Sequence, residues 1–323
     1  MTELVEFALV KEAAARIRGK VARTPLLRLS QLDRYFHGAE IFVKPESFQP
    51  IGSFKIRGAT NKILDLTAGG EKINGVITVS SGNHAQGVAY AAANAGLKAT
   101  VVMPEIASPL KMDKTRALGA QVVIYGQNNN ESDVKALEIM ERDGLSFVHA
   151  YNDPLIIAGQ GTAGLEIMED EPDMDAVVCP VGGGGLISGV ALSVKSMNPA
   201  AAVYGVEPTT VPRFAESRKA GELLTLNPDK LTIADGTRTM TAKELNYNMI
   251  AAYVDQLVDV SDDMIREAMA LVIFESRLLV EPSSAMTFAA ALCGKVPAGP
   301  GMKICFILSG GNLSYAALKE LLG

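Results

Sequence analysis

From Gly75 onward the chain alternates short runs of β-branched apolar residues with stretches of helical periodicity. GVITVSS (75–81) leads into NHAQGVAYAAANAG, whose small residues suit a closely packed helix ended by Gly96. KATVVMP (98–104) leads into SPLKMDKTRALGA, AQVVIYG (120–126) into ESDVKALEIMERDG, and SFVHAY (146–151) closes this set. The pattern resumes with DAVVCPV (175–181), a helix over 185–197, AVYGVEP (202–208), and finally KICFILSGG (303–311) with a last helix behind it. Continuous apolar strands joined by amphipathic helices predict parallel sheet covered on both faces. Six or more such strands make this an α/β protein.

Composition narrows the class. The 323 residues are 48% hydrophobic and 20% charged, an ordinary globular balance with material for a sizeable core. Thirty basic residues against 36 acidic give a net charge of −6, with no Lys/Arg cluster, so nucleic acid is not an expected partner. Cys179, Cys293 and Cys305 are too few and too scattered for a disulfide framework, which points to a reducing, cytoplasmic setting. The N-terminal MTELVEFALVKEAAARIRGK is charged at helical spacing and has no signal-peptide apolar stretch. Ala176 to Val194 carries no charge, but Pro180 and four successive glycines would break a membrane helix. A membrane partner is not expected.

Ligands of open parallel sheets bind where strands run into loops at their carboxyl ends. Three such loops, SSGNH (80–84), VGGGGL (181–186) and SGGN (309–312), are rich in Gly, Ser and Asn and predict one shared cleft. Gly182 to Gly185 lies between a strand and a helix, where turned backbone N–H groups and the helix dipole suit a phosphate. Neither the P-loop spacing nor G-x-G-x-x-G fits. Glu207 ends the next strand at about the ribose-binding distance, so a nucleotide-dependent oxidoreductase stays open. Lys55 lies between Phe54 and Ile56, and strand-like alternation would place its amine opposite an apolar face. A desolvated lysine has a lowered pKa and becomes a nucleophile able to form a Schiff base. A reactive lysine with a phosphate cradle suits pyridoxal 5'-phosphate.

ESFQPIGSFKIRGA, SSGNHAQGVAYAAANAG, IAGQGTAGLEI, PVGGGGLISG, TIADG, VEPSSA and SGGN follow one another in this order. That series resembles the serine/threonine dehydratases and serine racemases, pyridoxal-phosphate enzymes of the second fold type related to tryptophan synthase β-subunits. The resemblance runs roughly from Arg16 to Asn312. It implies two parallel-sheet domains: a small one over 53–147, inserted in a large pyridoxal-phosphate-binding one made of 1–52 plus 148–323. It also implies a homodimer, and no effector-binding extension beyond SGGN. The implied activity is dehydration and deamination of L-serine or L-threonine to a 2-oxo acid and ammonia. Serine racemisation and 3-hydroxyaspartate dehydration are the alternatives.

The same resemblance implies roles by position. Lys55 would carry the cofactor and act as base at the substrate Cα, Phe54 would pack beside the ring, and Asn83 would hydrogen-bond the ring hydroxyl. Gly182, Gly183, Gly184 and Gly185 with Leu186 would hold the phosphate, and Ser309 would face the pyridine nitrogen. Ser80, Ser81, Gly82, Asn83 and His84 would form the substrate loop, with His84 ordering the loop or touching substrate. Many strict dehydratases have alanine where Ser81 stands, whereas serine racemases have serine as the acid/base on the opposite face of Cα. Two bases on opposite faces permit racemisation. Several members bind a divalent cation through a glutamate and an aspartate. Glu207 fits the first place, but Arg213 stands near the second and a guanidinium cannot ligate a cation. The expectation is that Glu207 pairs with a nearby arginine at the surface. Arg238 is a candidate for a second substrate carboxylate, and Glu281 for a place at the cofactor face or at a helix start.

Overall fold

The computed structural model describes residues 4–70, 73–127 and 129–323. Its strands, in chain order, are β1 (Leu27–Arg28), β2 (Glu40–Pro45), β3 (Val76–Val79), β4 (Ala99–Met103), β5 (Gln121–Ile124), β6 (Ser146–Phe147), β7 (Ala176–Pro180), β8 (Ala202–Pro208), β9 (Gln256–Val260) and β10 (Lys303–Leu308). The helices are α1 (Phe7–Ile17), α2 (Lys55–Ala68), α3 (Asn83–Asn94), α4 (Pro109–Ala117), α5 (Asn129–Asp143), α6 (Pro154–Asp170), α7 (Gly185–Met197), α8 (Arg213–Ala220), α9 (Glu244–Tyr253), α10 (Asp262–Leu271), α11 (Pro282–Leu292) and α12 (Tyr315–Leu322).

Two sheets result. One has the order β1-β2-β10-β7-β8-β9, the other β5-β4-β3-β6. All pairings are parallel except β1 with β2, where Leu27 faces Val43 across an antiparallel edge. The α/β class follows directly from strands such as β7, buried and apolar at every position, and β4, buried throughout with Thr100 its one polar residue. Phe36, Phe288 and Phe306 fill one side of the larger sheet, with the Phe288 and Phe306 rings stacked at 4.2 Å. Burying each such ring contributes roughly 2–3 kcal/mol. On the other side α6 and α7 meet through glycine. A Cβ at Gly189 would lie 2.2 Å from the Ile157 carbonyl and 2.8 Å from the Gly161 Cα, so these backbones touch only because Gly189 and Gly161 carry no side chains there.

Several sequence expectations are corrected. β2 and β9 were not predicted, because EIFVKP and QLVDV mix charged with apolar residues. SFVHAY forms only a two-residue strand, since the His149 Nδ1 accepts the amides of Tyr151 and Asn152 and turns the chain. Of the charged N-terminal stretch, Met1 to Glu3 lie outside the described residues, and 7–17 form α1. Lys55 does not lie on a strand but is the first residue of α2. Among the described residues no helix is long and apolar enough to cross a membrane.

Beneath α2 lies a cluster the sequence did not announce. Arg57, Glu46 and Lys44 are fully buried. The Arg57 guanidinium donates to both oxygens of Glu46 (2.7 and 2.8 Å) and both of Glu166 (2.7 and 2.8 Å). Lys44 Nζ pairs with Glu166 at 2.7 Å and donates to the Thr24 carbonyl. Two cations and two carboxylates cancel, and Thr24 and Gln49 donate to Glu46 as well. Such a set is tolerated in an apolar interior only when its hydrogen bonds are complete.

Candidate active site

The start of α2, the start of α3 and the β10 terminus converge. The Phe54 amide donates to the Ser309 carbonyl at 3.0 Å, and Ser53 bridges Gly310. This clamps the turn before α2 to the end of β10. α3 packs closely behind, since a Cβ at Gly87 would lie 3.1 Å from the Lys55 carbonyl. The Lys55 amine donates to the Ala150 carbonyl at 2.8 Å. Burial lowers its pKa to about 8, because a charged amine there has lost its water.

Ala150 leads to Tyr151, and Tyr151 lies against the glycine turn. A Cβ at Gly183 would fall 2.2 Å from the Tyr151 ring, and one at Gly182 2.6 Å from the Gly236 carbonyl. Gly184 has φ +94° and caps α7 without any side-chain hydrogen bond. The first N–H groups of α7, from Gly185 through Leu186 to Ile187, therefore have neither an intrahelical partner nor a capping side chain. That is what an anionic group requires. α3 begins the same way, with Gly82 as an uncapped N-cap and Ser80 Oγ accepting the Gly82 amide at 3.2 Å. Ser81 is half-buried in that bend.

Asn83 points its amide at Glu281, 3.1 Å from each carboxylate oxygen, and accepts from Asn312 at 2.9 Å. Glu281 also accepts the Asn312 amide at 2.7 Å. Burial raises its pKa, with Asp235 adding to the shift and Lys111 opposing it. Ser309 is buried, its hydroxyl 3.1 Å from that of Ser284. Lys111 reaches across from α4 to pair with Asp235, and its Nζ is 3.5 Å from where a Gly82 Cβ would stand. Burial disfavours the Lys111 charge, but Asp235 and Glu281 more than offset it and raise its pKa.

The residues predicted from sequence thus gather here, with two exceptions. His84 turns its Nε2 to the Val148 carbonyl at 3.1 Å, and burial, helped by the Lys55 charge, lowers its pKa to about 3. It is a neutral, buried ring tied to backbone. Glu207 is the second exception. It is fully buried, not at the surface, and its oxygens accept the amides of Phe214 (3.0 Å) and Ala215 (2.9 Å) at the start of α8. Having given both oxygens to the backbone, it is not free to meet a ribose, and the oxidoreductase reading loses its anchor. Sequence reasoning missed Ala150, Tyr151, Lys111 and Ser284. Tyr151 was hidden by the expectation that SFVHAY is strand throughout.

The pyridoxal-phosphate fit is good on the structure's own terms. A desolvated amine, an uncapped helix start behind four glycines, and a hydroxyl at the β10 terminus are linked through Ala150–Tyr151 and the Phe54–Ser309 contact. A divalent cation does not fit. Glu207 is engaged by backbone, the Arg213 guanidinium fills the neighbouring place, and no three carboxylate, histidine or cysteine groups converge among the described residues. Arg238 is exposed and donates its Nε–H to the Thr232 carbonyl at 2.8 Å.

A model of the pyridoxal-phosphate dependent enzyme family matches residues 17–310. The chain is 43% identical to the L-threonine ammonia-lyase of Thermotoga maritima, over 97% of its own length and 77% of the relative's. It is 41% identical to the catabolic L-threonine dehydratase of Escherichia coli, over 97% and 94%. The solved structure of maize serine racemase superposes with a TM-score of 0.93 at 35% identity, covering 98% of this chain and 97% of that one.

Proposed function

The chain belongs to the family of pyridoxal-phosphate dependent enzymes, and from that membership we propose that it dehydrates and deaminates L-threonine or L-serine to a 2-oxo acid and ammonia. The observation that carries this reading is the half-buried Lys55 amine, its pKa lowered to about 8 by desolvation, which donates to the Ala150 carbonyl and lies over the Phe54 ring. Pyridoxal phosphate bound there supplies the electron sink that acidifies the substrate's Cα proton.

The chain's own groups do the rest. Lys55 takes the Cα proton, its pKa near the working range of a general base. The amides at the start of α3, with Ser80, Ser81, Gly82, Asn83 and His84 shaping that loop, hold the substrate carboxylate. Glu281 and Asn312 orient Asn83 toward the ring hydroxyl. Phe54 would pack beside the ring, and Gly182 to Leu186 would hold the phosphate. Ser309, neutral and hydrogen-bonded with Ser284, would face the ring nitrogen. Loss of the β-hydroxyl with a proton, then hydrolysis of the released enamine by water, completes the balance.

The same reading takes 53–147 as a small domain closing over the larger one, with Lys111 to Asp235 and Lys114 to Asn312 (3.1 Å) among the contacts across the cleft. It further takes the protein as a cytoplasmic homodimer. The cytoplasmic setting is supported by Cys179 and Cys305, buried as free thiols.

Ser81 favours a second reading, racemisation, and the likeness to maize serine racemase supports it. A panel of L- and D-serine, threonine and 3-hydroxyaspartate, scored for 2-oxo acid and for enantiomer exchange, tests both. Ser81→Ala is expected to keep L-elimination and lose all chemistry on D-isomers. No 2-oxo acid from any L-substrate would refute the lyase reading. Loss of L-elimination in Ser81→Ala would refute the division between two faces.

A further inference from the structure

Arg213 is one of the largest fully buried side chains in the molecule, and it makes no part of the chemistry proposed above. It opens α8, directly after the turn that follows β8. One terminal nitrogen approaches the carbonyls of Val211 (3.4 Å) and Thr237 (3.3 Å), the other that of Val181 (3.4 Å). Its Nε has no partner among the described residues. Val181 directly precedes the tetraglycine turn, and Thr237 follows Gly236, whose carbonyl abuts Gly182. Phe214, beside the guanidinium, sets the far wall of the turn: a Cβ at Gly184 would lie 3.0 Å from its ring.

Three carbonyl oxygens from three separate loops form an oxygen-lined hollow that suits a positive charge; burial lowers the guanidinium's pKa, and the Glu207 carboxylate opposes that shift. Hard divalent cations take such oxygens, and so does the five-donor fork of a guanidinium, which does not lose its proton in proteins. The contacts are all long. No single hydrogen bond dominates, and the charge serves the three loops together.

We propose that Arg213 is a built-in cation: its guanidinium gathers the Val181, Val211 and Thr237 carbonyls and so positions the tetraglycine turn without any added metal ion. Arg213 is a positioning residue. It touches neither substrate nor cofactor and acts through the turn. The proposal stands whichever hydroxy-amino acid the cleft takes.

The holoenzyme and its variants test this by thermal midpoint and by pyridoxal-phosphate affinity, in chelator and in millimolar Mg²⁺ or Ca²⁺. The wild type is expected to show the same midpoint in all three. Arg213→Asp places a second carboxylate beside Glu207 and removes the cation. It is expected to lose roughly 10 °C in chelator, with cofactor affinity roughly tenfold weaker, and to regain much of both in Mg²⁺ or Ca²⁺. If Arg213→Asp does not fold, Arg213→Gln decides. Its expected outcome is a lowered midpoint and weaker cofactor binding, neither restored by either ion. A wild type stabilised by Mg²⁺ or Ca²⁺ would overturn the proposal. So would a folded Arg213→Asp that ignores both ions, or an Arg213→Gln with wild-type midpoint and cofactor affinity.

Discussion

Lys55 and Arg57 stand two residues apart on α2, and the helical period turns them to nearly opposite sides. Arg57 meets two carboxylates in four hydrogen bonds, and their charges raise its pKa against the penalty of burial. Lys55 meets one neutral carbonyl, and burial lowers its pKa with nothing to oppose it. One helix thus carries a cation whose charge is fully answered and another whose charge is not. The answered one ties α2 to the turn just after β2 and to α6. The unanswered one is placed by that anchorage and kept reactive. Charge pairing makes the frame; withheld pairing makes the reagent.

The sharpest way to break this contrast is Lys55→Ala. Turnover is expected to fall by about 10⁴ or more, because the base at Cα is gone. Stability should behave in the opposite sense. In the cofactor-free protein the Lys55 pKa is about 8 folded against 10.5 unfolded, so the unfolded chain binds more protons between those values. Folding stability from this group therefore rises as pH climbs from about 8 to 10.5, and its cost is fully present below about 8. Lys55→Met should abolish that rise, leaving a flatter stability curve than wild type in urea titrations at pH 7, 9 and 10.5. An unchanged slope would mean the amine is solvated and the contrast with Arg57 is false.

The answered side is expected to break differently. Arg57→Met leaves Glu46 buried with its principal partner missing, at a cost of about 3–5 kcal/mol. Adding Glu46→Gln should return much of that, since removing both partners leaves Lys44 still paired with Glu166. The Glu46 pKa is held below its ordinary value by Arg57 and Thr24 despite burial. Its contribution is thus present above about pH 4.5 and is lost as pH falls below. Chemical denaturation of the single and double variants at pH 7 and pH 4 reads this directly. Equal losses in the single and double variants would refute coupling.

The same contrast explains what could be read from the chain. The parallel strands and the three loops were legible because each leaves a local mark, a continuous apolar run or a glycine cluster. Lys55 stood out among apolar neighbours, although it opens a helix and not the expected strand, and the roles of the other cleft residues came from the resemblance. The quartet was not, because Lys44, Glu46, Arg57 and Glu166 are separated by up to 122 positions and each alone resembles a surface charge. β2 was missed for the same reason, since its buried Lys44 breaks the apolar run that marks a strand. The expected surface pairing of Glu207 with an arginine failed because two amides three-dimensionally close to it sit seven and eight residues on. Spacing shows which groups are available; only packing shows which are answered.

The smallest effect separates two helix starts that flank Tyr151. α7 begins at Gly184 with no side-chain cap, whereas α6 begins at Asp153, whose Oδ1 accepts the amides of Leu155 (2.8 Å) and Ile156 (3.2 Å). Asp153 also pairs with Lys62 at 2.8 Å. Asp153→Ala is expected to cost about 1–2 kcal/mol, most of it from the lost cap. Asp153→Asn keeps an acceptor at the cap and gives up only the ion pair, so it should cost a few tenths of a kcal/mol. Neither should alter substrate KM, because the start of α6 is not among the groups placed against substrate or cofactor. Inorganic phosphate should raise the thermal midpoint of both cofactor-free variants as it raises that of the wild type, since it binds the start of α7, which has no such acceptor of its own. A phosphate response that grows markedly in Asp153→Ala, where the freed α6 amides gain an anion site, but not in Asp153→Asn would place the anion at the wrong helix.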